Sequence, residues 1–440
     1  MKFVEHYYEG SRKSREAHER ARKVMPSGIS RGVLYFKPYP TYAEKGLGSH
    51  IWDVDGNERI DYCLNYTVLL LGHSHPKVRE AIKSQLENGT ALGAPTELEV
   101  ALAERISRRV SYAERVVFAP SGTEAVMYAI RAARAFTGKS KIGVFDGGYH
   151  GTYDSVYSRS RGVTAAASSD VIFLPFNDPD KVKQLLKPHK QNLAAIIVEP
   201  VMGSNGPIVP RNDFLPRLRE IADEMECLLI SDEIITGFRL DYGGTGKVFG
   251  FEPDIVTFGK IVGGGLPASA VCGKTEIMSV FDFPNTSSLE PGEPVVPHAG
   301  TFVAHPLAMT AGIASLDELR PEAYERLNTN GDEIMSGLRK LSAELGINYQ
   351  VSGFGSLFHI FFTNREITSY EDARGADTNL IRHLDLGVLN RGIYFSPGHL
   401  CSLATVTTKQ DIDTTLDAVA DTLLEMKPTI KESAPSLVPH

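Results

Sequence analysis

The sequence predicts an α/β protein built on a doubly wound, largely parallel sheet. Three observations carry this. Apolar runs recur at 115–119, 141–145, 171–176, 194–198, 228–231, 255–258 and 269–272. Helical stretches, including 123–136 and 213–226, lie between them. The runs are predominantly apolar, as strands covered on both faces require. Strand and helix alternating over this length means a sheet with helices on its faces. After about residue 330 the pattern changes to helix, short strands and a final helix near 411–426, which reads as a second lobe. The last dozen residues read as frayed. No internal repeat or low-complexity segment interrupts the chain.

Composition narrows the function classes. A formal charge of -8 argues against a nucleic-acid-binding surface. No apolar run approaches a membrane span. The first residues, Met1-Lys2-Phe3-Val4-Glu5-His6, continue charged, unlike a secretory signal, so a cytoplasmic location is expected. Cys63, Cys227, Cys272 and Cys401 are dispersed with no paired spacing. Cys227 and Cys272 read as core thiols, and no metal site is expected.

In chain order, residues 1–25 read as an exposed helix stopped at Met25-Pro26-Ser27-Gly28. Arg31 follows in an otherwise apolar and aromatic loop. It reads either as a carboxylate receptor or as a surface arginine stacked on Tyr35 or Tyr39. Residues 51–62 form a hairpin turning at Asp55-Gly56-Asn57. Leu69–Pro76 leads into a helix with Val78, Ile82 and Leu86 on one face. There Ser74 ahead of Pro76 suggests a helix cap rather than a His73/His75 metal pair. A second amphipathic helix carries Leu98, Leu102 and Ile106. Ser287 to Pro297 reads as a loop.

The chemistry concentrates where strands end. Asp232 closes the run Cys227-Leu228-Leu229-Ile230-Ser231, and Lys260 follows Ile255-Val256-Thr257-Phe258. In open α/β sheets that edge is where ligands bind. A buried lysine loses its proton readily and suits a Schiff base with an aldehyde. A carboxylate set apart from it holds a ring nitrogen protonated. Together they match the needs of pyridoxal 5'-phosphate; a buried Asp–Lys ion pair is the other reading. Pro120-Ser121-Gly122-Thr123-Glu124 opens a helix and reads as a phosphate cradle or as a plain helix cap. Tyr149, in Gly147-Gly148-Tyr149-His150-Gly151, reads as a ring-stacking residue or a turn tyrosine. Ile234 is expected on the same side of its strand as Asp232, against the other ring face. Glu199 and Asn205 end a further strand as an acid and a donor near a ring hydroxyl.

Read together, these stretches resemble the class III pyridoxal-phosphate aminotransferases, of fold type I. Ser121-Gly122-Thr123-Glu124-Ala125, Tyr149-His150-Gly151, Asp232-Glu233, Thr236-Gly237-Phe238-Arg239, Gly259-Lys260, Gly263-Gly264-Gly265-Leu266-Pro267 and Ala299-Gly300-Thr301 stand in the family's order. The resemblance implies a large cofactor-binding domain over 71–325 with a mainly parallel seven-stranded sheet. It also implies a smaller α+β domain drawn from both chain ends, 1–70 and 326–440. It makes Lys260 the Schiff-base lysine, Asp232 the partner of the pyridine nitrogen, and Ser121, Gly122 and Thr123 the phosphate holders. Tyr149 and Ile234 would sandwich the ring. Thr301 would reach the phosphate of a neighbouring subunit, implying a homodimer with shared sites.

Within the class the chain is similar to the branch of glutamate-1-semialdehyde aminomutase and the β-amino-acid aminotransferases. The mutase glutamate of a C-terminal Ser-Gln-Phe-Glu motif has no counterpart in Ser396-Pro397-Gly398-His399-Leu400-Cys401. Ser30-Arg31-Gly32-Val33-Leu34 resembles the β-amino-acid enzymes, where the matching arginine receives the substrate carboxylate. Tyr66 falls at a pocket aromatic of the same relatives. The resulting expectation is an aminotransferase acting on an amino donor, best a β-amino acid, and an oxo acceptor. The alternative is an isomerase, either a semialdehyde-type 2,1-aminomutase or an epimerase. A cofactor-binding protein without turnover is the third reading.

Overall fold

The computed structural model describes residues 2–157, 159–211, 213–284, 292–398 and 400–438. The chain divides into two compact units. The first comprises Met1–His75, Ser204–Ile208 and Glu325–His440, and the second Pro76–Gly203 and Val209–Tyr324.

The second unit holds a seven-stranded sheet. Its strands run side by side as Arg115–Ala119, Ser269–Gly273, Ile255–Phe258, Leu228–Glu233, Leu193–Val198, Lys141–Phe145 and Val171–Leu174. The last five pair in parallel. Ser269–Gly273 is antiparallel to both its neighbours. Two antiparallel steps restore direction, so Arg115–Ala119 ends on the same edge as the parallel five. All seven expected runs are strands.

Burial explains the pattern. Every residue of Leu193–Val198 is buried, so this strand has no polar face. Each such Ile or Val contributes about 1.5–3 kcal/mol when fully buried. Helix Gly122–Thr137 lays Ala125, Val126, Ala129, Ile130 and Ala133 into the core over the sheet. Its start is set by Ser121, whose hydroxyl accepts from the Glu124 N–H at 3.3 Å.

The first unit contains two small sheets. Ala43–Leu47, His50–Asp53 and Glu58–Asp61 form an antiparallel meander extended by Ile393–Tyr394, which pairs parallel to Glu58–Asp61. Chain segments more than three hundred residues apart thus share one sheet. Gln350–Phe354, Leu357–Phe361 and Cys401–Ser402 form the other.

Several local expectations change. Residues 1–25 are two helices, Phe3–Gly10 and Arg12–Ala21, broken at Ser11. They bury Phe3, Tyr7, His18 and Ala21, so they are docked rather than exposed. Ser74 does not cap: it has φ 52° and its hydroxyl donates to the Gly46 carbonyl. His73 instead meets the Asp61 carboxylate at 2.7 Å. Leu86 is exposed, and Gln85 takes the buried position. The final helix runs Lys409–Ser433 behind a Thr408–Asp411 capping box, so it extends into the stretch where fraying was expected. Residues 285–291, within and just before the expected loop, and His399 lie outside the described residues. Among the described residues no helix is long and apolar enough to cross a membrane, and no cluster of metal-ligating side chains occurs.

Candidate active site

Asp232 is the penultimate residue of Leu228–Glu233 and is buried. Its register partner on the neighbouring strand is Thr257, whose hydroxyl donates to Oδ1 at 3.0 Å. The Ile234 N–H donates to the same oxygen at 3.1 Å, and His150 Nδ1 lies 2.7 Å from Oδ2. Three partners thus fix one carboxylate. Glu233, next along the strand, points to the opposite face. It accepts from Tyr112 Oη at 3.0 Å and the Thr245 N–H at 2.9 Å, and burial pushes its carboxyl up to about 7.

Lys260 follows Ile255–Phe258 and opens the turn Lys260–Gly263 with φ 48°. A lysine in the left-handed region is held there by its surroundings. The side chain is partly exposed rather than buried, because it sits past the strand end. The turn is pressed onto helix Pro306–Glu318. A methyl on Gly312 would lie 2.1 Å from the Val262 carbonyl oxygen, and one on Gly264 would lie 2.2 Å from that of Ala311. Both contacts involve backbone that cannot swing aside. We expect Gly312→Ala to lower stability by about 1–3 kcal/mol through overpacking. Thermal denaturation would read this as a lower midpoint, with a fall in turnover as the lysine turn shifts. An unchanged midpoint would show the turn to be loosely held.

Ser121, Gly122 and Thr123 lie at the start of helix Gly122–Thr137, beyond strand Arg115–Ala119. Thr123 Oγ1 accepts from the Thr152 N–H at 3.3 Å. A Cβ on Gly151 would meet that oxygen at 2.4 Å, so only glycine brings the 149–152 loop this close. Ile234 packs over Gly122 and Gly259. It lies beyond the end of its strand, in the turn that Asp232 caps, and not on the strand as expected.

Glu199 is buried after Leu193–Val198. It accepts from the Tyr149 N–H at 2.9 Å and the Gly203 N–H at 3.3 Å. Burial raises its carboxyl to about 7. Tyr149 is 45% exposed, with its ring set edge-on to Tyr157. His150 escaped the sequence reading. Its side chain is fully buried, and among the described residues no partner meets Nε2. Burial alone would lower its pKa, but the hydrogen bond and charge of Asp232 outweigh that and raise it. The available signal was its place beside Tyr149 in the loop that ends a strand.

The remaining candidates belong to the first unit, except Thr301, which is exposed in the second. Leu64, Asn65, Tyr66 and Thr67 run consecutively left-handed, with φ between 45° and 67°. Four such non-glycine residues in a row require strong local support. The turn presents the Asn65 side-chain carbonyl to the Arg31 guanidinium. The guanidinium carbon lies 5.4 Å from the Tyr66 ring centroid. The Tyr66 hydroxyl donates to the Val33 carbonyl at 2.7 Å. Arg31 therefore stacks on Tyr66, not on Tyr35 or Tyr39, and stays exposed. Asn205 lies in the segment Ser204–Ile208 of this same unit.

The second unit alone tests whether a pyridoxal cofactor fits. It offers an anchored carboxylate for a ring nitrogen, an amine past the neighbouring strand, and a helix start with two hydroxyls for a phosphate. These features define a fold type I pyridoxal-phosphate enzyme.

The chain belongs to the class-III aminotransferase family, whose model matches residues 36–423. It is 41% identical to glutamate-1-semialdehyde 2,1-aminomutase of Methanothermobacter thermautotrophicus, over 94% of this chain and 100% of that one. Aminomutases of that name from other archaea and bacteria match at 37% to 42% identity. Among solved structures, an omega-transaminase from Sphaerobacter thermophilus is 39% identical, with TM-score 0.90 over 96% of this chain and 99% of that one. A transaminase with pyridoxal phosphate bound is 35% identical, with TM-score 0.88 over 95% and 99%. The protein is a pyridoxal-phosphate enzyme of class III. The expectation of a β-amino-acid aminotransferase is corrected by the near-full-length matches to aminomutases. The Arg31 loop, which suggested it, is too short a stretch to outweigh identity along the whole chain.

Proposed function

We propose that the chain is an isomerase, a 2,1-aminomutase of the glutamate-1-semialdehyde type. The observation that carries this reading is the 41% identity extending over the full length of a curated aminomutase. A second feature agrees with it. No arginine follows Arg391, so the C-terminal region offers no guanidinium for the carboxylate of an oxo acceptor. An isomerase consumes no acceptor.

The reaction exchanges an amino group on carbon 2 with an aldehyde on carbon 1, giving 5-amino-4-oxopentanoate. Atoms and electrons balance without a co-substrate. When bound, pyridoxal phosphate supplies a carbonyl carbon for amines and a ring that accepts a carbanion's electrons. Asp232, fixed by His150, Thr257 and the Ile234 N–H, holds the ring nitrogen protonated. Lys260 moves a proton at Nζ between the substrate and cofactor carbons as general base and acid. Ser121, Gly122 and Thr123 hold the phosphate, with Thr301 serving the neighbouring subunit of a homodimer. Tyr149 and Ile234 would flank the ring, and Glu199 would lie at its polar edge. Arg31, steadied by Asn65 and Tyr66, receives the substrate carboxylate. A cytoplasmic location accompanies this reading.

The test is to incubate holoenzyme with glutamate-1-semialdehyde and no oxo acid, and to quantify 5-amino-4-oxopentanoate. Product should form in the absence of any acceptor. Arg31→Ala should raise KM roughly tenfold or more, the size of one lost charge-assisted contact. Product that appears only when an oxo acid is added would sink the reading.

A further inference from the structure

We propose that a cavity in the first unit, walled by helix Thr378–Leu389, binds a compact amine with an apolar body, its ammonium group held by Asp385. The cavity encloses about 660 Å³, within the range of small-molecule sites. Tyr35, Phe36, Leu386 and Phe395 contribute apolar wall. On the helix, Ile381, Asp385 and Leu389 stand four residues apart and share one face. That face turns to the cavity, and all three residues line it. A carboxylate in the middle of an apolar stripe is poorly placed for packing and well placed for a ligand.

Among the described residues, one backbone hydrogen bond supports Asp385. Its Oδ2 accepts the Gly398 N–H at 2.7 Å. Arg382 and Lys37 also line the cavity, yet among the described residues no cation forms an ion pair with Asp385. The Arg382 guanidinium turns to Asn379, at 3.4 Å. Asp385 is partly buried on the cavity wall, where a partly desolvated carboxylate without a counter-charge is costly. Burial accordingly raises the Asp385 carboxyl to about 7, against the smaller opposing effect of the Gly398 N–H. A ligand ammonium would supply the missing charge, while its body displaced water from the aromatic wall. Neither Arg31 nor Tyr66 lines this cavity. Asn205, a cofactor-site candidate, does line it, so the Asp385 variant rather than binding alone distinguishes this site from the catalytic one.

The probe must not react with the cofactor, so it has to be a tertiary amine. N,N-dimethyl-2-phenylethylamine fits, and 3-phenylpropanoate serves as its anionic counterpart. Both are titrated calorimetrically into holoenzyme at pH 8, where the carboxylate is ionised. The amine should bind and the anion should not. Asp385→Asn keeps an acceptor for the Gly398 N–H but removes the charge, and should weaken the amine roughly tenfold or more. Ile381→Phe, which fills the cavity and leaves the carboxylate intact, should weaken it as well. Equal binding to wild type and Asp385→Asn would overturn the proposal. So would no binding of the amine, or preferential binding of the anion, which would hand the cavity to Arg382 and Lys37.

Discussion

Lys260→Ala is expected to lower turnover by about 10⁴-fold, the upper range for losing a positioned acid–base group. The fold should survive, because backbone packing fixes the turn in place. It is held by Gly264 against Ala311 and by Gly312 against Val262. Alanine meets the same left-handed backbone at φ 48°, so the substitution adds little strain of its own. Lys260→Arg separates charge from proton transfer. A guanidinium keeps the positive charge but cannot give up its proton in a protein. If Lys260 works at Nζ as base and acid, both variants should be inactive to a similar degree with near wild-type thermal midpoints. Steady-state formation of 5-amino-4-oxopentanoate, beside a melting curve for each variant, decides this. Activity of either variant within tenfold of wild type would remove Lys260 from the reaction.

Much of the large unit was legible because its signals are local. Each of the seven strands is an apolar run bounded by polar or glycine-rich turns. Asp232 and Lys260 could be placed on one edge because each follows such a run. What escaped was long-range. The pairing of Ile393 with Ile60 joins distant segments that no periodicity links. His150 beside Asp232 depends on the loop after one strand meeting the end of another. Ile234 was misplaced because strand propensity continues past Glu233, while the Asp232 side chain captures the Ile234 N–H and turns the chain. The N-terminal helices looked exposed because their composition is charged. Their buried face rests on a few positions, Phe3, Tyr7 and His18, spread over two helices. The choice of reaction failed for a related reason. One arginine loop and one missing glutamate are short signals, and identity along the whole chain outweighs them.

Asp232→Asn should reduce turnover by roughly 10³-fold, the scale of removing a preorganised electrostatic group. The amide is nearly isosteric and keeps an acceptor for Thr257 and the Ile234 N–H, so the geometry should persist. Only the charge goes, and with it the reason for a ring nitrogen to stay protonated. The same change removes what raises the His150 pKa. A histidine with a raised folded value adds stability that is fully present below its ordinary value of about 6.5. That stability is lost as pH rises through the raised value. The gap in thermal midpoint between wild-type and Asp232→Asn apoenzyme should therefore be widest at about pH 5 to 6.5, where His150 is protonated. It should narrow on the alkaline side. A gap independent of pH would mean that His150 stays neutral and acts only as a hydrogen-bond partner. A gap that widens with pH would place the titrating proton elsewhere. Either outcome can be read without the cofactor, so it tests the carboxylate–imidazole pair separately from the chemistry the pair serves.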